Sequence, residues 1–199
     1  MFKLLFISTM LLVATSMNSS SWELKKDNDG IKVYVRSVEG SSFKEYKGET
    51  VLKNTTLTKV LNIIFDVENY DKLFPDVSKQ KVIKQISKYH NIHYVKVSTP
   101  WPVSDRDNVT ELEATVSDDG KSANITINAR PDMVEKKKDL VRISGGKGHW
   151  ELKENEDNSV SVLYQYHGNP GGSIPSWLAN SFVVSHPFET LENLHKRVE

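Results

Sequence analysis

Residues 160–194 read VSVLYQYHGNPGGSIPSWLANSFVVSHPFETLENL, and the change of period inside this stretch decides the fold. Val160–His167 alternates with period two, the pattern of a half-buried strand. After Gly171-Gly172 the period becomes that of a helix. Ser173 stands where an N-cap is expected, with Pro175 in the first turn, where proline is tolerated. Trp177, Ser181, Val184, Phe188, Leu191 and Leu194 then share one helical face. Pro187 either kinks one long helix or marks the place where two short helices meet at His186-Pro187.

Upstream of this stretch the period-two signal dominates. Trp22–Lys26 and Gly30–Val38 form a hairpin expectation across Asp27-Asn28-Asp29-Gly30, and Phe43–Leu52 continues as a third strand. Thr55 or Thr56 can cap a helix carrying Leu57, Val60, Leu61, Ile64 and Phe65, expected to end between Tyr70 and Pro75. Val82–Ser87, Ile92–Thr99, Val109–Val116, Ala123–Ala129, and Leu140–Ser144 with His149–Leu152 then alternate, with Asp118-Asp119-Gly120 and Glu156-Asp157-Asn158 as tight turns. Strands joined by such turns are expected to be antiparallel. The order is three strands, a helix, about six strands and a long C-terminal helix. Segregated helices and strands of this kind indicate an α+β fold with helices on one face of an antiparallel sheet. A sheet of about nine strands curls, and a curled sheet around an apolar helix leaves a lined hollow.

Composition narrows the function. The chain has 199 residues, so one domain is expected, and it carries 26 basic against 26 acidic side chains. This balance argues against a basic domain built to bind nucleic acid. The absence of Cys excludes a disulfide scaffold, a thiol nucleophile and a zinc ribbon. Met1–Ser21 reads as a secretory signal: Lys3 supplies the positive start, Leu4–Val13 the apolar core, and Ala14-Thr15-Ser16 the small residues that a peptidase reads. The expected organisation is a signal peptide over residues 1–20 and one domain over 21–199. The expected location is secreted or periplasmic.

Four segments carry a family resemblance. They are Trp22-Glu23-Leu24 with Asp29-Gly30-Ile31-Lys32-Val33-Tyr34, then Pro100-Trp101-Pro102-Val103-Ser104-Asp105-Arg106-Asp107, then Gly148-His149-Trp150-Glu151-Leu152, and finally Gly171–Leu178 together with Pro187-Phe188. In this order and spacing they resemble the START family, the lipid-transfer domains related to the steroidogenic acute regulatory protein. The resemblance runs from about Ser21 to the C-terminus. It implies a helix-grip fold in which a curved antiparallel sheet surrounds the C-terminal helix and an apolar tunnel holds one lipid or sterol. The family often has an extra N-terminal helix, and here the signal segment occupies that place. The expected partners are a lipid or other apolar small molecule and, transiently, a membrane, with the protein acting as a monomer.

The six histidines form no HExxH pattern, and no cofactor or metal is expected. His90 and His93 flank a strand but leave a tetrahedral metal short of ligands. Gly145-Gly146-Lys147-Gly148 lacks the spacing of a phosphate loop and reads as a bulge or loop. Asp105, Asp107, Glu111 and Glu113 read as a solvated strand face. Arg106 shares strand parity with Thr110, Leu112, Ala114 and Val116, so it points to the apolar side. An inward Arg either closes the sheet through a salt bridge or backbone bonds, or anchors a lipid head group by forked donation. The expected lipid-binding residues are Arg106, Leu112, Trp177, Ser181, Val184 and Phe188, with no catalytic residue. The alternatives are a cyclase or hydrolase on a related helix-grip fold, and a module that senses a ligand. The signal reading has a direct check. Protein exported from the native host should begin between about Ser16 and Ser21 on N-terminal sequencing, and soluble full-length cytoplasmic protein would refute it.

Overall fold

The first hairpin joins β1 (Glu23–Asn28) to β2 (Ile31–Arg36). Its turn needs left-handed backbone at both central residues. Asp29 (φ 51°) and Gly30 (φ 75°) supply it, the condition for a turn that matches strand twist. A computed structural model describes residues 20–199. The proposed signal segment therefore lies, apart from its last residues, outside the described residues.

The remaining elements follow in chain order: β3 (Glu45–Leu52), α1 (Leu57–Ile64), β4 (Val77–Ser87), β5 (His90–Val97), β6 (Arg106–Val116), β7 (Ser122–Ala129), β8 (Val141–Arg142), β9 (Gly145–Glu154), β10 (Val160–Asn169) and α2 (Ser176–Val198). Nine strands make one antiparallel path, β1-β2-β3-β10-β9-β7-β6-β5-β4. The long-range step is β3 against β10, where Val160 to Tyr166 pair with Leu52 to Tyr46. It brings the first hairpin beside the last strand. β4 forms the opposite edge, and its exposed Lys79, Lys81 and Lys84 oppose edge-to-edge association.

Four local expectations are corrected. The α1 helix is capped by Thr56, whose Oγ1 accepts from Lys59 N at 3.3 Å, but it stops at Ile64. A 3-10 turn, Val67–Lys72, replaces its expected continuation, and Tyr70 Oη donates to the Ile64 carbonyl at 2.8 Å. That phenol satisfies one of the carbonyls that a helix end leaves without a partner. Leu140–Ser144 does not join β9 as one antiparallel unit. Its core becomes β8, which pairs in parallel with Arg106 and Asp107 of β6.

Gly145–Gly148 is neither bulge nor loop. It is regular β9 ladder, paired residue for residue with Asn169–Tyr166. At Gly146 and Gly148 the Tyr166 ring lies where a side chain would stand. A Cβ on Gly148 would stand 2.8 Å from Tyr166 Cδ2, and one on Gly168 2.7 Å from Cε1. Ser173 does not cap α2. Ile174 precedes a proline and is biased towards extended backbone, so the helix begins only after Pro175. The Pro175 carbonyl accepts from Leu178 N at 3.0 Å and Ala179 N at 3.1 Å.

The α2 helix is one continuous element of 23 residues that runs through Pro187, not two helices. Burial divides it there. No residue from Ser176 to His186 is fully buried, whereas Pro187, Phe188, Thr190, Leu191, Leu194 and Val198 are. The buried half packs on β2, β3 and α1 beside Ile31, Val33, Leu52, Val60 and Ile64.

Outside the curl, Asp107 is not on a solvated face. It is buried and accepts twice from Arg142, Nε at 2.7 Å and Nη2 at 3.0 Å. Arg142 also donates to the Pro131, Val134 and Glu135 carbonyls, so its guanidinium ties the 130–141 connection to β6. Arg142→Met would leave the Asp107 carboxylate buried without its partner, and urea unfolding should show a loss of about 3–5 kcal/mol. Asp107→Leu combined with Arg142→Met should cost less than Arg142→Met alone, because no isolated charge remains.

Candidate functional site

The strand alternation that buries the core also builds a hollow. On β6 the residues Arg106, Asn108, Thr110 and Leu112 face inward, as parity requires. His93, Val95 and Val97 of β5 stand beside them, and Tyr46, Trp150, Tyr164 and Tyr166 line the wall formed by β3, β9 and β10. Ile64, Tyr70 and Phe74 close one side, and Ala179, Asn180, Phe182, Val183 and His186 of α2 cover the top. The cavity volume is about 290 Å³.

The wall is mostly aromatic. Trp150 and Tyr164 stack with ring centres 4.0 Å apart and planes at 7°. Tyr46 meets Tyr164 edge-on at 5.4 Å, and the two hydroxyls bond at 2.9 Å. Burial pushes the phenols of Tyr46, Tyr70 and Tyr164 well above their ordinary value and that of Tyr166 up to about 12. They remain protonated near neutral pH, and Tyr46 Oη donates to Tyr164 Oη and Tyr70 Oη to the Ile64 carbonyl. Burial also pulls the His93 imidazole down to about 4, so the ring is neutral, with Nδ1 donating to Asn91 Oδ1 at 2.8 Å. His90 instead faces Glu111 at 2.8 Å. Among the described residues no group of three or more His, Cys, Asp or Glu is placed to hold a metal ion.

The covering half of α2 is held by few bonds. Asn180 Oδ1 accepts from Lys44 N at 3.0 Å, Asn180 Nδ2 donates to the Ser42 carbonyl at 3.3 Å, and His186 Nδ1 lies 3.3 Å from Asp76 Oδ2. The other half is tied more densely: the Lys59 ammonium donates to the Val198 carbonyl, and Asn193 Nδ2 donates to the Leu73 carbonyl at 3.3 Å. His195 meets Thr50 at 2.8 Å, and Arg197 donates to Asp66 at 2.7 Å and to the Asn69 carbonyl at 3.3 Å.

A curled antiparallel sheet wrapped on a C-terminal helix, with a lined hollow under that helix, is the helix-grip arrangement. A family model described as START domain matches residues 9–199. The chain belongs to the START domain family. An uncharacterized protein of Pseudomonas aeruginosa is 36% identical over 187 residues, covering 94% of this chain and 91% of that protein. The phosphatidylcholine transfer protein of Rattus norvegicus is 25% identical over 168 residues, covering 83% and 78%. The crystal structure of a STAR-related lipid transfer protein from Xanthomonas axonopodis superposes with a TM-score of 0.82 at 41% identity, covering 89% of this chain and 98% of that one. Human StAR-related lipid transfer protein 5, at 19% identity and a TM-score of 0.73 over 89% and 86%, shares the fold.

Within this START domain the residues singled out from the sequence separate. Arg106 and Leu112 lie in the cavity wall. Trp177, Ser181, Val184 and Phe188 are not among the lining residues. Trp177 is 72% exposed, Ser181 donates to the Leu178 carbonyl at 2.7 Å on the outer surface, and Val184 packs on the core. Phe188 is buried beneath the Lys26 ammonium, 3.3 Å from its ring centre. The cavity face is carried by Asn180, Val183 and His186, displaced about 100° around the helix per residue of offset. The most apolar stripe of the sequence points elsewhere because the cover of a hollow need not be its most apolar face. Tyr46, Tyr164 and Tyr166 line the cavity as well, and for Tyr164 and Tyr166 the sequence signal is their parity with the buried Val160 and Val162.

The neutral His93 sets a pH dependence. Between pH 6.5 and about 4 the unfolded chain binds a proton at this position and the folded chain does not. Stability contributed by His93 is therefore present above pH 6.5 and lost as pH falls, by up to about 3 kcal/mol. Urea midpoints at pH 7 and pH 4.5 should differ less for His93→Gln than for the unaltered chain.

Proposed function

We propose that this START domain binds one lipid or other apolar molecule in the cavity and carries it between membranes outside the cytoplasm, as a monomer and without chemical change. The observation that carries the proposal is the divided helix over the aromatic hollow. One half of α2 is locked into the core, and the half that covers the cavity has no fully buried residue. The relatives named as lipid transfer proteins support the same reading, and the apolar stretch behind Lys3 supports the location.

Energetics favours contact over release into water. At about 0.8 kcal/mol per buried methylene, a twelve-carbon chain gains on the order of 10 kcal/mol by burial. A carrier must therefore open against a surface that offers the chain an equivalent environment. Two exposed aromatics lie close in sequence to cavity-lining residues. Trp101, 92% exposed, follows the lining residues Ser98 and Thr99, and Trp177, 72% exposed, precedes the lining residue Ala179. Tryptophan suits a membrane interface because its apolar body and polar N–H serve both sides. Among the described residues no helix is long and apolar enough to cross a membrane.

Native mass spectrometry of the purified chain should detect one co-purified apolar ligand per protein. Trp101→Ala with Trp177→Ala should slow exchange of that ligand between vesicles about tenfold while leaving the loaded fraction unchanged. A chain that neither co-purifies with nor takes up any apolar molecule would refute the proposal.

A further inference from the structure

Arg106 is 97% buried and makes no salt bridge among the described residues. The neighbouring Asp105 is already engaged, its carboxylate 2.7 Å from Lys96 Nζ. Arg106 Nη1 donates to the Ser104 carbonyl and, at 3.4 Å, to Thr99 Oγ1. Its Nε has no partner among the described residues. Two positions along β6, on the same inward face, Asn108 Oδ1 is also buried and unpartnered. Of the unpartnered buried side-chain atoms among the described residues, only these two belong to residues that line the cavity. The ionised side chains on the cavity wall are Lys44, Arg106 and Asp76, and Asp76 already faces His186.

A buried guanidinium without a counter-ion is costly, and the cost falls when an anion arrives. Its remaining N–H groups form a fork suited to a carboxylate or phosphate rather than to a lone hydroxyl. The Asn108 amide can present its nitrogen to the same anion by turning over. Size restricts the rest of the molecule. About 290 Å³ is at the bottom of the range for ligand pockets, which suits a lipid with one chain better than a lipid with two.

We propose that the ligand is a single-chain lipid ending in an anionic acid group, carboxylate or phosphate, with the acid held by Arg106 and Asn108 and the chain laid among Tyr46, Tyr164 and Trp150. This rests on the cavity being a lipid site and narrows what enters it. The acid group neutralises the one buried cation of the wall, and the chain replaces water against the aromatic rings.

The test is a titration of the full delipidated chain with dodecanoate, dodecyl phosphate, dodecanol and vesicles of phosphatidylcholine. Either or both acids should bind about tenfold to hundredfold tighter than the alcohol, the range expected for hydrogen bonds to a charged group. Whichever of the two acids binds more tightly identifies the source of the anion. Affinity for dodecanoate should fall as pH drops through the carboxyl range, and Arg106→Gln should remove the preference for acid over alcohol. Because Arg106 also holds the 99–104 loop, the comparison on the unaltered chain decides the matter if that variant does not fold. Equal binding of acids and alcohol, or capture of phosphatidylcholine alone, would overturn this inference and leave the lipid site standing. Binding of none of the four would overturn both.

Discussion

The seating of the C-terminal half of α2 on β3 is the contact from which the remaining architecture follows. At Gly48 the helix comes so close that a Cβ would stand 2.7 Å from Leu191 Cδ1. Leu191 and Leu194 are fully buried there, beside the first hairpin and α1. With this half fixed, the preceding turns of the same helix extend past the core and must lie over the open part of the curl. The hollow is thus a consequence of a helix longer than the core that anchors it. Pro187, which cannot donate a backbone hydrogen bond, sits at the boundary between the two halves.

The wall and the outside of the sheet solve opposite electrostatic problems with adjacent residues. Strand alternation sends Arg106 inward and Asp107 outward. Asp107 meets Arg142 in a fully bonded pair that holds β8 and the long connection before it. Arg106 meets backbone and a hydroxyl but no carboxylate. One charge therefore serves the fold, and the other is left facing the cavity. The aromatic side of the wall follows the same economy of space, since the Tyr166 ring lies flat because Gly146, Gly148 and Gly168 remove the side chains it would strike.

Much of this was legible in one dimension. The strands Val109–Val116, Ala123–Ala129 and Val160–His167 were readable because period-two alternation and short polar turns are local properties. The inward direction of Arg106 followed from parity alone. The lining face of α2 was not readable in this way. An apolar stripe predicts what faces a core, but the first half of this helix faces a hollow, with Asn180 and His186 on the inner side. The glycines of β9 are not interpretable in one dimension for a related reason: at Gly148 the cause is the Tyr166 ring on another strand, 18 residues further along.

The element order, the antiparallel character of the sheet, the long terminal helix and the family are legible along the chain, because they depend on periodicity, turn chemistry and ordered motifs. Only the folded chain selects β10 as the partner of β3 and Arg142 as the partner of Asp107. Each of these joins residues far apart in the chain, where the winning partner is selected by shape and by the cost of burying an unmatched polar group. No local pattern records that competition.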